Sequence, residues 1–541
     1  MRGVAVLTPA MVLAKIIGLF YKIPLIAVVG VAGMAYFLSA YHVYSMLFVL
    51  FASGLPTALS LLVSRATATD EGAVGRIFSV ALVLFLSLGS AGGILLLVFA
   101  KKIATLLAMP EAALALRLIA PTLPLAVVSG AVKGVFQGRH DMLPTAVAEV
   151  IEALGKLLFG VSLAGLARAR GGDTPTVAAA AVAGITAGAA LAALAMLLWL
   201  FLSRRRLFGT GKGIPPSRRA VLRALWRVAF PITVSAAVTG LVTLVDTALI
   251  SARLQAAGFA PTAAHEMYSS YGNLALPLYN LVPALLTPVT LSLIPVLGKT
   301  LAVGDTEEAS HALTLALRVS LLIAVPASLG LAVFSAPILS VLYMGEQGAV
   351  MLAAPLLSIL AVCLLPTVLI SVTAATLQAV GRAALPVFTM LLGAVVKLVL
   401  EAWLLGVPCV HIYAAPISTL VCNLTVLFAN LLLLCSHTHL RISLYRQLGA
   451  PLFAASLSVV LGVLIYRILG YFALPSLLMM LCTLVAVMLI YFFMAFALGL
   501  LDKAVLCVLP FGEILLKCKL LRGENHDERR KITGDSCQRG I

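Results

Sequence analysis

Charged residues are scarce in this chain of 541 residues, because Asp, Glu, Lys and Arg make up 11% of it while hydrophobic residues make up 62%. A soluble domain carries about 25% charged residues, so this composition excludes a soluble protein. The mean hydropathy is +1.13, and apolar runs of about 20 residues, each able to cross a bilayer as a helix, recur throughout. The composition predicts an all-α polytopic membrane protein.

Sequence motifs of soluble enzymes are also absent: there is no Walker A sequence, no GxSxG, no HExxH and no GxGxxG after a strand. Without an ATPase motif, any transport across the membrane must be driven by an ion gradient, by the membrane potential or by the concentration gradient of the transported substrate. The 8 cysteines form no CxxC pair, and Cys435, His437 and His439 lack a second ligand cluster. We therefore predict a protein that is not an enzyme and that has no metal or cofactor.

The net charge of +17 is unevenly distributed along the chain. Basic residues gather in every second loop, in the polar interruption "SRRRLFGTGKGIPPSRRAVLRALWR" at 203–227 and in the C-terminal tail. Cytoplasmic loops of membrane proteins are enriched in Lys and Arg, so the pattern predicts that both termini are cytoplasmic. Orientation and anionic membrane lipids account for the charge, and no nucleic-acid partner is predicted.

The apolar runs predict about fourteen transmembrane helices. They cover residues 4–30, 34–64, 74–100, 113–137, 143–167, 176–202, 226–252, 268–297, 311–335, 349–379, 384–406, 411–435, 449–470 and 475–499. The first run follows Arg2 and ends without a small-residue cleavage site, so we expect a retained helix. An even number of spans agrees with two cytoplasmic termini.

The two halves of the chain resemble each other. Gln137, Gly138, Arg139, Pro144 and Lys156 recur in the same order as Gln378, Gly381, Arg382, Pro386 and Lys397. Corresponding segments lie six spans apart, which predicts two pseudo-symmetric six-helix lobes around a central cavity, where transporter substrates bind. The predicted divisions are an N-terminal lobe at 1–203, a linker at 204–225, a C-terminal lobe at 226–440, two further helices at 441–499 and a basic tail at 500–541.

Two lysines interrupt the first apolar run, in "AKIIGLFYKIPL". Lys15 and Lys22 are seven residues apart, so they share one face of a helix. A charge in the bilayer centre costs about 2.5–3.5 kcal/mol and usually faces protein or water. We favour a cavity role for Lys15 over a structural one, and Lys22 could also extend towards the membrane surface.

Spans five and eleven each contain a Lys and a Glu at i,i+4 spacing. Span five has Glu149, Glu152 and Lys156, and span eleven has Lys397 and Glu401. One interpretation is two intrahelical pairs that neutralise each other. The other places one lysine of each lobe against an anionic substrate.

Asp246 lies in span seven, within "TLVDTALI". It is predicted to balance a cationic site from the opposite lobe. The alternative is that it pairs with Arg253 in its own helix.

Three stretches carry a family resemblance: "KIIGLFYKIPLIAVVGVAGMAYF", "YHVYSMLFVLFASGLPTALSLLVSR" and "GVFQGRHDMLPTAVAEVIEALGK". The chain resembles the stage V sporulation protein B-like group of the multidrug/oligosaccharidyl-lipid/polysaccharide (MOP) exporter superfamily, which is similar to the MurJ-type lipid II flippases. The resemblance implies a MATE-like fold and transfer of an undecaprenyl-pyrophosphate-linked saccharide, most directly lipid II, across the bacterial cytoplasmic membrane for cell-wall synthesis.

The resemblance also implies site residues. MurJ-type proteins use two arginines in span one: Lys15 and Gly18 keep the spacing of the first arginine and its glycine, whereas Tyr21 takes the place of the second, beside Lys22. In span two, Ala35 and His42 stand near the family's Asp and Arg. The predicted substrate-binding residues are Lys15, Tyr21, Lys22, His42, Lys156 and Lys397, and the predicted charge partners or ion-coupling residues are Glu149, Glu152, Asp246 and Glu401.

Three alternatives stay open at this point. A cation-coupled drug exporter of the same superfamily would favour acidic and aromatic residues, whereas lysines predominate among the deep charges here. A flippase for another cell-surface polysaccharide unit would need a similar cationic cavity. A scaffold in a cell-wall assembly complex would use the tail, Lys503 to Arg539, to bind cell-wall synthesis proteins or anionic lipids.

Overall fold

The computed structural model describes residues 13, 17–18, 20–52, 54–69, 72–208, 216–303, 306–382, 384–407, 409–437, 444–472, 474–501 and 505. These residues form helices and connecting turns and contain no strand. Lys15, residues 209–215 of the predicted linker and most of the predicted tail at 500–541 lie outside the described residues, so predictions about them stay predictions.

The helices are numbered here in chain order. The first ten are α1 (Lys22–Val29), α2 (Val31–Ala52), α3 (Gly54–Thr69), α4 (Ala73–Leu106), α5 (Ala113–Ile119), α6 (Thr122–Gly138), α7 (Leu143–Ala169), α8 (Thr174–Leu207), α9 (Arg218–Ala256) and α10 (Pro261–Ser269). A π-helical turn, Ser270–Ala275, follows α10. The remaining helices are α11 (Leu276–Val303), α12 (Thr306–Val333), α13 (Ser335–Leu342), α14 (Gln347–Ala379), α15 (Ala384–Leu404), α16 (Ala414–His437), α17 (Leu444–Gly470) and α18 (Ser476–Ala497).

Local sequence explains several helix ends. In lipid every backbone polar group needs an internal partner, so apolar runs become helices and polar residues terminate them. The Asp173 carboxylate accepts a hydrogen bond from Thr176 N at 3.3 Å before α8, and Ser217 Oγ accepts one from Ala220 N at 3.3 Å before α9. These are N-caps. Gly30 separates α1 from α2 at φ +81°, a conformation that favours glycine.

Eleven helical segments among the described residues are long and apolar enough to cross a membrane. The prediction of an all-α polytopic membrane protein is confirmed. The predicted spans 226–252 and 268–297 are not among the eleven, but they are helical, in α9 and in the run from α10 through α11. The span 4–30 lies partly outside the described residues, and the count of fourteen stays a prediction.

The chain divides into two compact units by its internal contacts. Unit 1 comprises Met1–Asn273 with Glu401–Ile412, and unit 2 comprises Leu274–Leu400 with Tyr413–Ile541. The core of unit 1 includes Leu59, Phe85 and Phe136, from α3, α4 and α6. One core of unit 2 includes Leu297 and Leu313, from α11 and α12. These units are defined by contacts between residues and not by similarity between the two halves of the sequence. They therefore do not test the two repeat lobes, which stay a prediction.

Candidate functional site

Lys22 is held by a neutral amide in unit 1. Its Nζ donates to Asn273 Oδ1 at 3.1 Å, and the bond is partly buried. The Asn273 amide nitrogen donates to Met34 O at 3.0 Å and to Ser269 Oγ at 3.1 Å. These two bonds fix the amide orientation and turn Oδ1 towards the ammonium group. No carboxylate of the described residues pairs with Lys22, so its charge is not neutralised by an ion pair there.

Tyr21, the residue before Lys22, packs closely against two neighbouring helices. Tyr21 is buried, and its ring lies 6.2 Å from that of Phe37 on α2. Gly160 on α7 faces Tyr21, because a Cβ at that glycine would lie 3.2 Å from Tyr21 Cε2. The structure therefore places Tyr21 between α2 and α7, next to Lys22. Lys15 lies outside the described residues.

His42 is the centre of a second polar group in unit 1. Its Nδ1 lies 2.8 Å from Thr247 Oγ1 on α9 and 3.2 Å from the Tyr268 hydroxyl on α10. Thr247 Oγ1 donates its own proton to Thr243 O at 2.9 Å, so we assign the proton of the His42–Thr247 bond to His42 Nδ1. His42 also lies within electrostatic range of Lys22.

Two ion pairs lie on α6 and α7, also in unit 1. Lys133 Nζ is 2.6 Å from Glu149 Oε1, and Lys156 Nζ is 2.6 Å from Glu152 Oε1. The side chains of Lys156 and Glu152 are 28% and 24% exposed, so water competes little for this pair. The interpretation of Glu152 and Lys156 as an intrahelical pair matches this geometry. Whether Lys156 also binds substrate stays a prediction.

Helix α2 links these groups into one polar cluster. Tyr41 is next to His42 in the chain and lies within electrostatic range of Lys156, while Tyr44 lies within range of Glu152. We call Lys22, His42, Lys133, Glu149, Glu152, Lys156 and Asn273 the unit 1 polar cluster. Three of its members are lysines and two are glutamates, so the cluster has more basic than acidic groups.

The other predicted site residues lie elsewhere in the described chain. Asp246 precedes Thr247 on α9 and is partly buried. Lys397 and Glu401 lie on α15, with 8% and 0% of their surfaces exposed. Ala35, which the resemblance aligns with the family's Asp, is fully buried and has no charge. A shared site for Lys397 and the unit 1 polar cluster stays a prediction.

A family comparison decides which group of transporters this chain resembles. Residues 25–493, most of the chain, match the family described as Lipid II flippase MurJ. The chain belongs to this family. It is a multi-pass membrane protein of a flippase family whose members are transporters rather than catalysts.

Relatives and solved structures agree with this membership in the MurJ family. Lipid II flippase MurJ of Bacillus subtilis (strain 168) is 24% identical over 431 residues, covering 74% of this chain and 76% of the relative. Stage V sporulation protein B of the same organism is 24% identical over 404 residues, covering 73% and 76%. The predicted resemblance to the stage V sporulation protein B-like group and to MurJ-type flippases is confirmed.

Two solved structures share the fold. The inward closed conformation of lipid II flippase MurJ gives a TM-score of 0.62 at 16% identity and covers 90% of this chain and 97% of that chain. The inward-facing conformation of a multidrug resistance MATE family transporter of the MOP superfamily gives 0.63 at 16% identity, covering 78% and 93%. At these identities the likeness shows a fold common to flippases and drug exporters, and not a substrate.

Two members of the unit 1 polar cluster were missed by sequence analysis. Lys133 interrupts the apolar run 113–137 in the same way as Lys22 interrupts the first run, so the rule that charges in apolar runs face protein or water could have found it. Asn273 is in the π-helical turn Ser270–Ala275, and such turns often lie at functional sites. No local sequence pattern reveals that turn.

The Glu152–Lys156 pair leads to a prediction about stability. We expect Glu152→Gln alone to destabilise the protein by roughly 1–3 kcal/mol, because Lys156 then loses a charged partner in a poorly hydrated place. Combining it with Lys156→Met should recover part of the loss, because neither charge remains. Thermal unfolding of the purified single and double variants in detergent measures this coupling. If the double variant loses as much stability as the two single variants together, the two side chains are not coupled and the prediction is wrong.

Proposed function

We propose that this chain is a flippase for an undecaprenyl-pyrophosphate-linked saccharide, with the peptidoglycan precursor lipid II as the substrate. Family membership supports a lipid-linked cargo. The observation that carries the proposal is Lys22, whose partly buried ammonium group is bonded to the neutral Asn273 amide at 3.1 Å. A pyrophosphate could bind Lys22 without first breaking an ion pair with a described residue, which makes the interaction favourable.

The predicted roles follow from this proposal. Lys22, His42 and Tyr21 would contact the headgroup, and Lys15 would add a second positive charge seven residues before Lys22. Transport would proceed by alternating access, with Lys397 as the counterpart of Lys156 in the second half of the chain. Glu401 and Asp246 would balance these charges or couple transport to an ion.

The competing drug exporter would need acidic groups free to bind an organic cation. Glu149 and Glu152 are each 2.6 Å from a lysine Nζ, which makes them poor ligands for a second cation. This pairing disfavours an organic cation, and Lys22, which is bonded to an amide and to no carboxylate of the described residues, favours an anionic cargo. A flippase for another cell-surface polysaccharide unit shares the pyrophosphate, so the transport experiment distinguishes it by its saccharide.

The experiment depletes the resident lipid II flippase of a bacterial host and expresses this chain. An externally added probe then labels lipid II that has reached the outer leaflet. We expect labelling and growth to be restored, because the chain would supply the missing transport step. Absence of labelling from a chain present at normal levels in the membrane would reject lipid II and favour another lipid-linked polymer.

The proposal also has consequences for location and partners. Both termini would lie in the cytoplasm and the protein in the bacterial cytoplasmic membrane, where cell-wall synthesis proteins and anionic lipids would be its neighbours. The likeness to stage V sporulation protein B supports a parallel proposal of a role in sporulation. Deleting the gene and counting heat-resistant spores tests that role separately from lipid II transport.

A further inference from the structure

A cavity of about 530 Å³ lies in unit 1 between the first two turns of α4 and the last three turns of α8. This volume is in the range of small-molecule sites, about 300–1,000 Å³. Its lining includes Phe78, Ser79, Leu200, Phe201, Arg204 and Phe208. The cavity is therefore an apolar groove with one cationic side chain, and it does not share a residue with the unit 1 polar cluster.

The apolar part of the cavity borders on both the protein core and the outside of the helix bundle. Phe78 is buried, and its ring lies 5.4 Å from that of Phe208. Phe201 is 72% exposed, and Leu198 and Leu202 beside it on α8 are 60% and 75% exposed. In a membrane protein, such exposed apolar side chains contact acyl chains. The groove is thus open to lipid along α8.

The cationic part lies at an end of unit 1 that is rich in arginine. Arg204 lines the cavity in the last turn of α8 and is exposed, and no carboxylate of the described residues pairs with it. Residues 203–227 contain eight basic residues and no acidic one. The start of α9 lies at the same end, because Val221 and Leu225 pack in one core cluster with Phe78. Loops this basic are typical of the cytoplasmic side.

We propose that this cavity binds an anionic glycerophospholipid, with its phosphate at Arg204 and one acyl chain along Phe201 and Leu200. Basic pockets between helices on the cytoplasmic side are suited to anionic headgroups. The combination of an apolar groove, a cationic end and open contact with the bilayer fits a two-part ligand of this kind. A zwitterionic lipid would place its own ammonium group near the arginines and would bind less well.

The test uses Trp199, which packs against the unit 1 core and is the chain neighbour of Leu200, a residue that lines the cavity. The chain has 3 tryptophans, so Trp226→Phe with Trp403→Phe leaves Trp199 as the only tryptophan, which is excited selectively at the red edge of its absorption. The full chain is placed in bilayer nanodiscs with brominated phosphatidylglycerol or brominated phosphatidylcholine at equal fractions, and quenching gives the relative binding constant. We expect phosphatidylglycerol to be preferred. Equal quenching by both lipids would overturn the proposal.

Two variants and one control locate the site. Arg204→Gln should lower the preference for phosphatidylglycerol roughly fivefold, since one arginine near anionic lipid contributes that much. Ser79→Leu should lower quenching by both lipids, because it fills the groove. Arg170→Gln makes the same charge change at the opposite end of α8, where Arg170 is exposed after α7, and should change nothing.

Three further results would overturn the proposal. One is an Arg204→Gln variant that keeps the full preference for phosphatidylglycerol. Another is an Arg170→Gln variant that loses as much of this preference as Arg204→Gln does. The third is displacement of brominated phosphatidylglycerol by substoichiometric undecaprenyl pyrophosphate, which would assign the cavity to the polyprenyl substrate instead. All three readouts are equilibrium measurements on the folded protein in a bilayer. They are therefore independent of whether lipid II is transported.

Discussion

Replacing Lys22 with Gln is expected to lower outer-leaflet labelling of lipid II roughly tenfold to hundredfold, whereas Lys22→Arg should keep most of it. A charge-assisted hydrogen bond contributes about 1.5–3 kcal/mol, and 1.4 kcal/mol corresponds to about a tenfold change in binding. Asn273 Oδ1 is 3.1 Å from the lysine Nζ, and Gln presents a neutral N–H donor one bond nearer the backbone, so the substitution removes the charge while leaving a donor near that oxygen.

The matched control is Lys102→Gln. Lys102 is exposed near the end of α4, with its Nζ 5.7 Å from the centre of the Phe99 ring, and it is far in sequence from the unit 1 polar cluster. The flippase-depleted host expresses each variant, and labelling is normalised to the amount of protein in the membrane. If Lys22→Gln labels lipid II as well as the unchanged chain does, Lys22 does not bind the substrate and the central observation of the proposed function is wrong.

The parts of the site that sequence could predict are those set by local spacing. Glu152 and Lys156 are four residues apart, so one helix is enough to bring them within 2.6 Å. Apolar runs predicted helices throughout, because backbone groups in lipid must be bonded within the segment. Lys22 was found because a charge in such a run is costly and so indicates a functional position.

The parts that sequence could not predict depend on contacts between distant helices. Lys133 and Glu149 are 16 residues apart and pair across α6 and α7. His42 meets Thr247 and Tyr268 from positions 205 and 226 residues away in the chain. These partners are ordinary polar residues with no local pattern, and only packing brings them together. The lysines therefore do not act alike, because Lys156 has a carboxylate partner and Lys22 has an amide.

Close contact between α7 and α8 gives the second large prediction. A Cβ added to Gly188 on α8 would lie 2.7 Å from Lys156 N and 2.9 Å from Glu152 O on α7. Gly155 on α7 faces Gly188 in the same way, since its Cβ would lie 2.7 Å from Gly188 Cα. Small residues at such crossings let helix backbones touch in a membrane, where packing rather than the hydrophobic effect drives association. The backbone that carries the Glu152–Lys156 pair is therefore positioned by a glycine.

Gly188→Ala should therefore destabilise the protein by roughly 1–3 kcal/mol through overpacking. This loss is expected even though Ala is better than Gly in a helix by about 1 kcal/mol. Gly165→Ala on α7 is the control, because nothing lies within 4 Å of a Cβ at that position, and it should be neutral or stabilising. Thermal unfolding of both variants in detergent tests the difference. A Gly188→Ala variant as stable as Gly165→Ala would mean that the two helices can separate without cost, and the Glu152–Lys156 pair would then not be held in place by α8.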